Sequence, residues 1–482
     1  MESTNATTSE FRAAEEPRGP ASVSLFAVLR GRHEDPYARW SAIRKQYGDV
    51  ARYRYALTDT FFICSADGVK RVLQDNASNY TKEHGSYRML RRLFGNGLIT
   101  SEGSFWLRQR RLAQPAFHRQ RLAQMGVAMS AAAAETAERW QAVAHAGQSL
   151  PMMREMSKLT LKVVGDALFG TALSAMAAPI AASWDLLNTQ LAERFAKLRL
   201  LPPILPTRYD RDFRRARQTL FAVVDQIIAA KRARPVESDD LLSMLMAARD
   251  DDTGEGMTDG QLRDEVVTML LAGHETTAVA LTWAWARLDR HPEVAARLHG
   301  ELASVLGGRV PGVDDLQHLP YTRAVISETL RLHPPAYLII RHVKEDDVVC
   351  QRRIHKGGAV LISPLILHRH PDYWEDPDEF LPERWLDAEA EKRRPRHAYI
   401  PFSAGPRQCI GSSFSMMESV LILATLAQRF APRLLAAGWP ATEYLVLARP
   451  VGAVAMQLNT RDPRDPVTAT PAHDQRQAGS GA

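Results

Sequence analysis

Cysteine is scarce in this chain of 482 residues: there are three, Cys64, Cys350 and Cys409, far apart from one another. An odd, scattered set builds no disulfide framework and fits a reducing compartment. Long apolar runs are lacking too. None approaches the roughly 18 residues that a membrane-spanning helix needs, and the longest, such as 420–427, suit a core helix. The start, Met1-Glu2-Ser3-Thr4-Asn5, shows no basic stretch followed by an apolar one, so it does not read as a secretion signal. Nor does one charge dominate. A net charge of +6 spread along the chain gives little reason to expect nucleic acid as a partner. These absences lead us to expect a soluble, cytoplasmic protein with no membrane anchor.

What is present is ordinary globular sequence, 45% hydrophobic and 24% charged. Residues 1–20 and 461–482 are polar and poor in large apolar side chains, and read as disordered tails. Between them no linker and no internal repeat divides the chain, so one domain over 21–460 is expected. Alternating β-formers at 49–64 predict a hairpin, and a second strand-like patch falls at 337–363. Most of the remainder has helical periodicity. The fold class expected is therefore mainly α with a small β region, an α+β arrangement. One helix is unusually long. Thr258-Asp259-Gly260-Gln261 reads as a capping box, and the pattern runs on to about Arg290, before Pro292.

Chemistry concentrates in a few segments. Phe402-Ser403-Ala404-Gly405-Pro406-Arg407-Gln408-Cys409-Ile410-Gly411 fits F-x-x-G-x-R-x-C-x-G. It is followed by an apolar helical run from Phe414 to Phe430. Cys409 then lies at a helix N-terminus, where free N–H groups and the dipole favour an anion. A thiolate there is a metal ligand. In mid-helix, Ala272-Gly273-His274-Glu275-Thr276-Thr277 breaks helix propensity, which points to a functional site. Ala272 and Thr276 share a face by their spacing of four. Glu328 and Arg331 form E-x-x-R on a helical pattern; Phe380-Leu381-Pro382-Glu383-Arg384-Trp385 follows. Trp106 and Arg110 form W-x-x-x-R.

Together, and in this order, these motifs resemble those of the cytochrome P450 family over about residues 30–455. The resemblance implies the cytochrome P450 fold, a single large domain enclosing b-type haem. Cys409 would be the axial ligand of the haem iron. Phe402, Gly411, Ala272 and Gly273 would line the haem, while Arg407, Trp106, Arg110 and Arg341 would meet it and its propionates. Thr276 and Glu275 would be the catalytic pair, the hydroxyl beside bound O2 and the carboxyl relaying protons from solvent. Glu328, Arg331 and Arg384 would form a structural network behind the haem. Trp385 departs from the family's Phe at that place, and Ser415 stands where Ala is common, a change expected to be harmless.

The implied activity is a haem-thiolate monooxygenase, bacterial in type and suited to secondary metabolism, that hydroxylates a C–H bond of a small apolar substrate. A terpenoid is favoured; a fatty acid or polyketide also fits. Variable segments at 80–104, 190–212 and 336–340 would wall the pocket, with Leu98, Ile99, Leu338 and Ile339 among the lining residues. No Gly-rich flavin or nicotinamide segment is seen, so electrons, ultimately from NAD(P)H, are expected through a separate ferredoxin or flavodoxin and its reductase. Arginines at 108, 110, 111, 119 and 121, with Lys392, Arg393, Arg394 and Arg396, would form a basic face for that donor. A monomer is expected. Two other classes remain: a peroxide-using haem-thiolate peroxygenase or isomerase, and a non-catalytic haem sensor.

Overall fold

The computed structural model describes residues 8–22, 35–55, 57–170, 177–196, 208–233, 240–250 and 252–464. The first β-rich stretch forms an antiparallel hairpin of β1 (Val50–Tyr55) and β2 (Thr58–Ile63), with Val50 opposite Ile63. A short β3 (Tyr80–Thr81) and two strands from the second patch, β4 (Ile339–Val343) and β5 (Ala359–Ile362), complete a five-stranded sheet. Its order is β1-β2-β5-β4-β3, with β2 and β5 parallel and the other pairs antiparallel. Phe61, Phe62, Ile63, Val360 and Ile362 are buried in a core of their own around this sheet. That is what β-branched and aromatic residues on a two-sided sheet are suited to do.

A larger core belongs to the helices. Those that matter for the site are α1 (Gly85–Phe94), α2 (Gly103–Ala113), α3 (Arg119–His145), α4 (Met152–Phe169), α5 (Asp259–Arg290), α6 (Pro320–Leu332) and α7 (Ser412–Ala427). The capping box forms as expected: Gln261 N donates to Thr258 Oγ1 at 3.3 Å, and Thr258 N donates to Gln261 Oε1 at 2.8 Å. The 32 residues of α5 make a rod of roughly 48 Å. The next helix begins at Pro292, where a missing N–H costs nothing. α4 lies against the middle of α5, tied by the Thr160 hydroxyl to His274 O at 2.9 Å. A Cβ at Gly273 would sit 3.1 Å from Val164 Cγ2, so the small residue is what lets the two helices approach here.

The N-terminal segment is more structured than its composition suggests. Thr8–Ala13 is helical, and Glu15 pairs with Arg352 as a short bridge. Glu16 takes Arg52 at 2.9 Å and His355 at 2.9 Å. Charge complementarity rather than apolar burial holds this piece, which is why hydropathy alone reads it as a tail. At the other end Arg461 N donates to Arg429 O at 2.9 Å, and 465–482 lie outside the described residues.

Glu328 and Arg331 on α6 are both fully buried and meet at 2.7 Å. Arg384 Nε adds a second cation to Glu328 at 3.0 Å, and Leu381 N and the Trp385 indole N–H each donate to it at 2.9 Å. Arg331 spends its other N–H groups on the carbonyls of His368, Pro377 and Glu379. Burial pushes the Glu328 carboxyl up, but Arg331 and Arg384 outweigh it and hold the group below the usual carboxylate range. Replacing Glu328→Gln leaves Arg331 buried without a counter-charge. A loss of about 3–5 kcal/mol in urea unfolding is expected; a loss under about 1 kcal/mol, typical of a surface pair, would contradict the network.

Candidate functional site

The cysteine loop lies between the two cores, with Phe402 packed on the helical one and Ala404 buried in the sheet one. Gly405 has φ of 67°, and a Cβ there would lie 1.8 Å from Leu73 O. No other residue can take that place without moving the backbone. Cys409 N donates to Phe402 O at 2.9 Å, closing the loop. α7 begins at Ser412 with Gly411 as its cap. Cys409 thus precedes the helix by three residues, and the Gly411 N–H reaches its sulfur. The Cys409 side chain is exposed, and the Gly411 N–H and the Arg110 guanidinium both favour its thiolate.

The structure gathers the expected cations around this loop and adds one that the sequence reading missed. Arg407 stacks on Trp106, 3.7 Å from the ring centroid, pairs with Glu102 at 2.7 Å and donates to Ser101 O at 2.9 Å. Arg110 donates to Gln408 O at 2.9 Å, beside the cysteine. Arg341 is buried on β4 and donates to Tyr87 Oη at 3.1 Å. The addition is Lys82, whose Nζ donates to Ile99 O at 2.8 Å. Burial, then Arg341 and Arg407, push its ammonium well below the ordinary lysine range. Arg407 is pushed down to about 10, first by burial and against the pull of Glu102. Four cations, Lys82, Arg110, Arg341 and Arg407, thus share one neighbourhood with the Glu102 carboxylate. Such a surplus calls for a bound dianion. A dicarboxylate porphyrin with a thiolate ligand fits that donor set. Lys82 carried no motif, so only its setting could reveal it.

The long helix α5 meets the helix that follows the cysteine, where Thr277 and Ser415 touch. Between Glu265 and Ala286 three positions are less than fully buried: Ala272, Gly273 and Thr276. They share one helix face, so the middle of the longest helix presents a small open stretch. The Thr276 hydroxyl donates to Ala272 O at 2.8 Å, the i−4 bond open to any helical threonine. Glu275 is buried: its Oε1 meets Arg449 Nη1 at 3.3 Å, and its Oε2 lies 3.8 Å from His274 Nε2. Of the residues expected to line a pocket, Leu98 and Ile99 belong to or pack on the helical core, and Leu338 and Ile339 belong to or pack on the sheet core. Residues 197–207 of the expected pocket wall lie outside the described residues.

Ser415 is more than a tolerated replacement. Its hydroxyl lies 3.1 Å from that of Thr277, which donates to Gly273 O at 3.3 Å. One turn on, Glu418 is fully buried, and neither carboxyl oxygen has a hydrogen-bond partner among the described residues. Burial pushes its carboxyl well above the ordinary range. Glu418 therefore folds neutral and takes up a proton that the unfolded chain releases above about pH 4.3.

The basic face is smaller than the sequence suggests. Arg111 pairs with Asp250 and Asp252 at 3.1 and 2.8 Å, and Arg108 donates to Glu255 O and Gly256 O. Lys392 pairs with Glu389, and Arg394 stacks on Trp374 and Trp385. Arg119 remains, with Arg323, on a surface groove of about 900 Å³ that reaches Phe402 and Gln408 of the cysteine loop.

Two outcomes follow from these charges. In Lys82→Met the cationic surplus shrinks, and haem transfer to apomyoglobin is expected to speed up several-fold; an unchanged rate would remove Lys82 from the cradle. In Glu418→Gln the proton uptake disappears. The variant is expected to gain stability over the parent as pH rises above about 5, at up to about 1.4 kcal/mol per pH unit. Parallel urea-unfolding profiles across that range would contradict a neutral Glu418.

A family model described as Cytochrome P450 matches residues 16–444. Cyclooctatin synthase of Streptomyces melanosporofaciens is 38% identical over 394 residues, 80% of this chain and 83% of its own. Cyclooctat-9-en-7-ol 5-monooxygenase of the same organism is 35% identical, covering 85% and 88%. Pentalenene oxygenase of Streptomyces avermitilis is 34% identical, covering 80% and 84%. Among the described residues no helix is long and apolar enough to cross a membrane. The match takes in the cysteine loop and the long helix, so the chain belongs to the cytochrome P450 family, and it is an oxygen-incorporating oxidoreductase.

Proposed function

We propose that this enzyme hydroxylates a C–H bond of a terpenoid, with electrons from a separate ferredoxin or flavodoxin supplied ultimately by NAD(P)H. The observation that carries the proposal is the opened face of α5 at Ala272, Gly273 and Thr276, and the expected lining residues Leu98, Ile99, Leu338 and Ile339 are apolar. Such walls bind an apolar skeleton by burial, at about 25 cal/mol per Å² removed from water, and leave few polar groups to read. Two of the relatives are named for terpenoids, cyclooctat-9-en-7-ol and pentalenene.

The residues divide the work. Lys82, Arg110, Arg341, Arg407 and Trp106 would hold haem b, with Cys409 as its iron ligand and Phe402, Gly411, Ala272 and Gly273 against its faces. When bound, the haem supplies the reduction of O2 and the oxidation of the C–H bond. Thr276 offers a hydroxyl at the open face, and Glu275 is the buried acid one residue away. The lining residues exclude water and fix which carbon is presented. The groove at Phe402 and Gln408, with Arg119 and Arg323 at its edge and Met416, Met417 and Trp385 in its wall, offers an acidic electron donor a docking site on the cysteine side.

An absorbance titration of the ferric holoenzyme tests the substrate class. Sesqui- and diterpenes are expected to move the haem band from low to high spin at micromolar concentration, with long-chain fatty acids and macrolide precursors weaker by ten-fold or more. A shift produced by fatty acids or macrolide precursors alone would overturn the terpenoid reading while leaving the family assignment intact.

A further inference from the structure

The loop that follows α1 carries two of the residues expected to line the pocket, Leu98 and Ile99, and it is held from two sides. On one side stand two adjacent acids near the start of α5. Asn96 N donates to Asp264 Oδ2 at 2.7 Å, and Leu98 N donates to Glu265 Oε2 at 3.1 Å. On the other side stand cations of the cradle. Lys82 Nζ donates to Ile99 O at 2.8 Å, and Arg407 Nη1 donates to Ser101 O at 2.9 Å. Backbone N–H groups go to the carboxyls and backbone carbonyls go to the cations. Leu98 and Ile99 lie where the two grips meet.

The grip on α5 is close enough to demand glycine. A Cβ at Gly95 would lie 2.1 Å from Asp264 Oδ1, and one at Gly97 would lie 2.3 Å from Thr268 Oγ1 and 2.8 Å from Asp264 O. The two acids differ in setting. Asp264 is half-buried; burial pushes its carboxyl up, against Asn96 N–H and the charges of Arg217 and Arg263. Glu265 is fully buried. Burial pushes its carboxyl up to about 8, with the Leu98 N–H acting against it, so at pH 7 the group is neutral. Its Oε1, and the Thr268 hydroxyl one turn on, have no hydrogen-bond partner among the described residues. A carboxyl kept in a dry core costs free energy, and the contact shown for it there is the bond from the loop.

We propose that Glu265 is a specificity-determining positioning residue: through Leu98 N it fixes where Leu98 and Ile99 stand in the apolar wall, while Asp264 sets the entry to the same loop. This rests on Leu98 and Ile99 lining the pocket. The far side of the loop is tied to Lys82 and Arg407, which would hold the haem, so the wall takes a set place relative to the cofactor. A loop released from Glu265 keeps its ties to the cradle and loses its register on α5. Selectivity is then lost while the haem stays.

The test compares two azoles on the ferric holoenzyme, imidazole and 4-phenylimidazole. Both bind iron through a ring nitrogen, but only the second carries an apolar body to meet the wall. Glu265→Met removes the acceptor at similar size, and it is expected to cut the preference for 4-phenylimidazole about ten-fold. Imidazole affinity and the ferrous carbon monoxide spectrum should stay at wild-type values. Amide hydrogen exchange over 95–99 should speed up by about ten-fold, with exchange in α4 unchanged. Glu265→Gln is neutral like the acid and keeps an acceptor, so it should recover both properties. Unchanged exchange in Glu265→Met would overturn the clasp. Faster exchange with the azole preference intact would overturn its role in specificity. So would an equal loss of both azoles with faster exchange in α4, the mark of general loosening. The exchange measurement does not depend on what lines the pocket, and no terpenoid enters the assay, so failure of the clasp is separate from failure of the substrate reading.

Discussion

A charged pair that never meets water organises the half of the molecule that carries the cysteine. Glu328 and Arg331 are both fully buried, and an ion pair in such a place is stable only when every remaining lone pair and proton is satisfied. The chain meets that demand by wrapping 368–385 around them, carbonyl by carbonyl. The segment leading to the cysteine loop is then hung from the same helix. Tyr399 Oη donates to Ser327 O at 2.9 Å, and Ile400 N donates to His368 Nε2 at 2.9 Å. The His368 ring is pushed down to about 3 by burial and then by Arg331, so it stays neutral and can accept. Two residues later comes Phe402, whose carbonyl receives the Cys409 N–H. The position of the sulfur is therefore inherited from a buried carboxylate about eighty residues upstream.

The opposite electrostatic condition holds on the other side of the loop. There the cations exceed the carboxylates nearby: burial, Arg341 and Arg407 push Lys82 down, and burial and Arg341 push Arg407 down against the pull of Glu102. A fold tolerates this only if something anionic joins it. The two halves thus differ in kind. The network around Arg331 is internally balanced and belongs to the protein, whereas the cluster around Arg407 is balanced only by what it binds. Stability and haem retention should respond to different substitutions for that reason.

Much of this was legible beforehand because it rests on short-range pattern. Period-two alternation placed β1 and β2, a capping box and a proline bounded α5, and fixed spacing put Cys409, Arg407, Trp106 and Arg110 in one loop and one helix. What escaped was set by contacts between distant segments. Lys82 is an unremarkable surface-type residue until β3, α1 and the cysteine loop enclose it. Glu15 and Glu16 lie in a polar stretch whose order comes from partners more than three hundred residues away. Arg108 and Arg111 look like a steering patch in sequence, and Asp250 and Asp252 claim Arg111 and crowd Arg108. Charge counts along a chain do not foresee which charges will neutralise one another.

The same consideration bears on the acid of the open face. In sequence Glu275 sits beside Thr276, and proximity suggests a simple acid–alcohol relay. In the fold its neighbour through space is a guanidinium on a hairpin that begins more than 160 residues later, itself shared with a more exposed carboxylate. A buried carboxylate paired in this way is oriented by its partner. The restraint is strongest where the site is driest, because that is where an unpaired charge costs most.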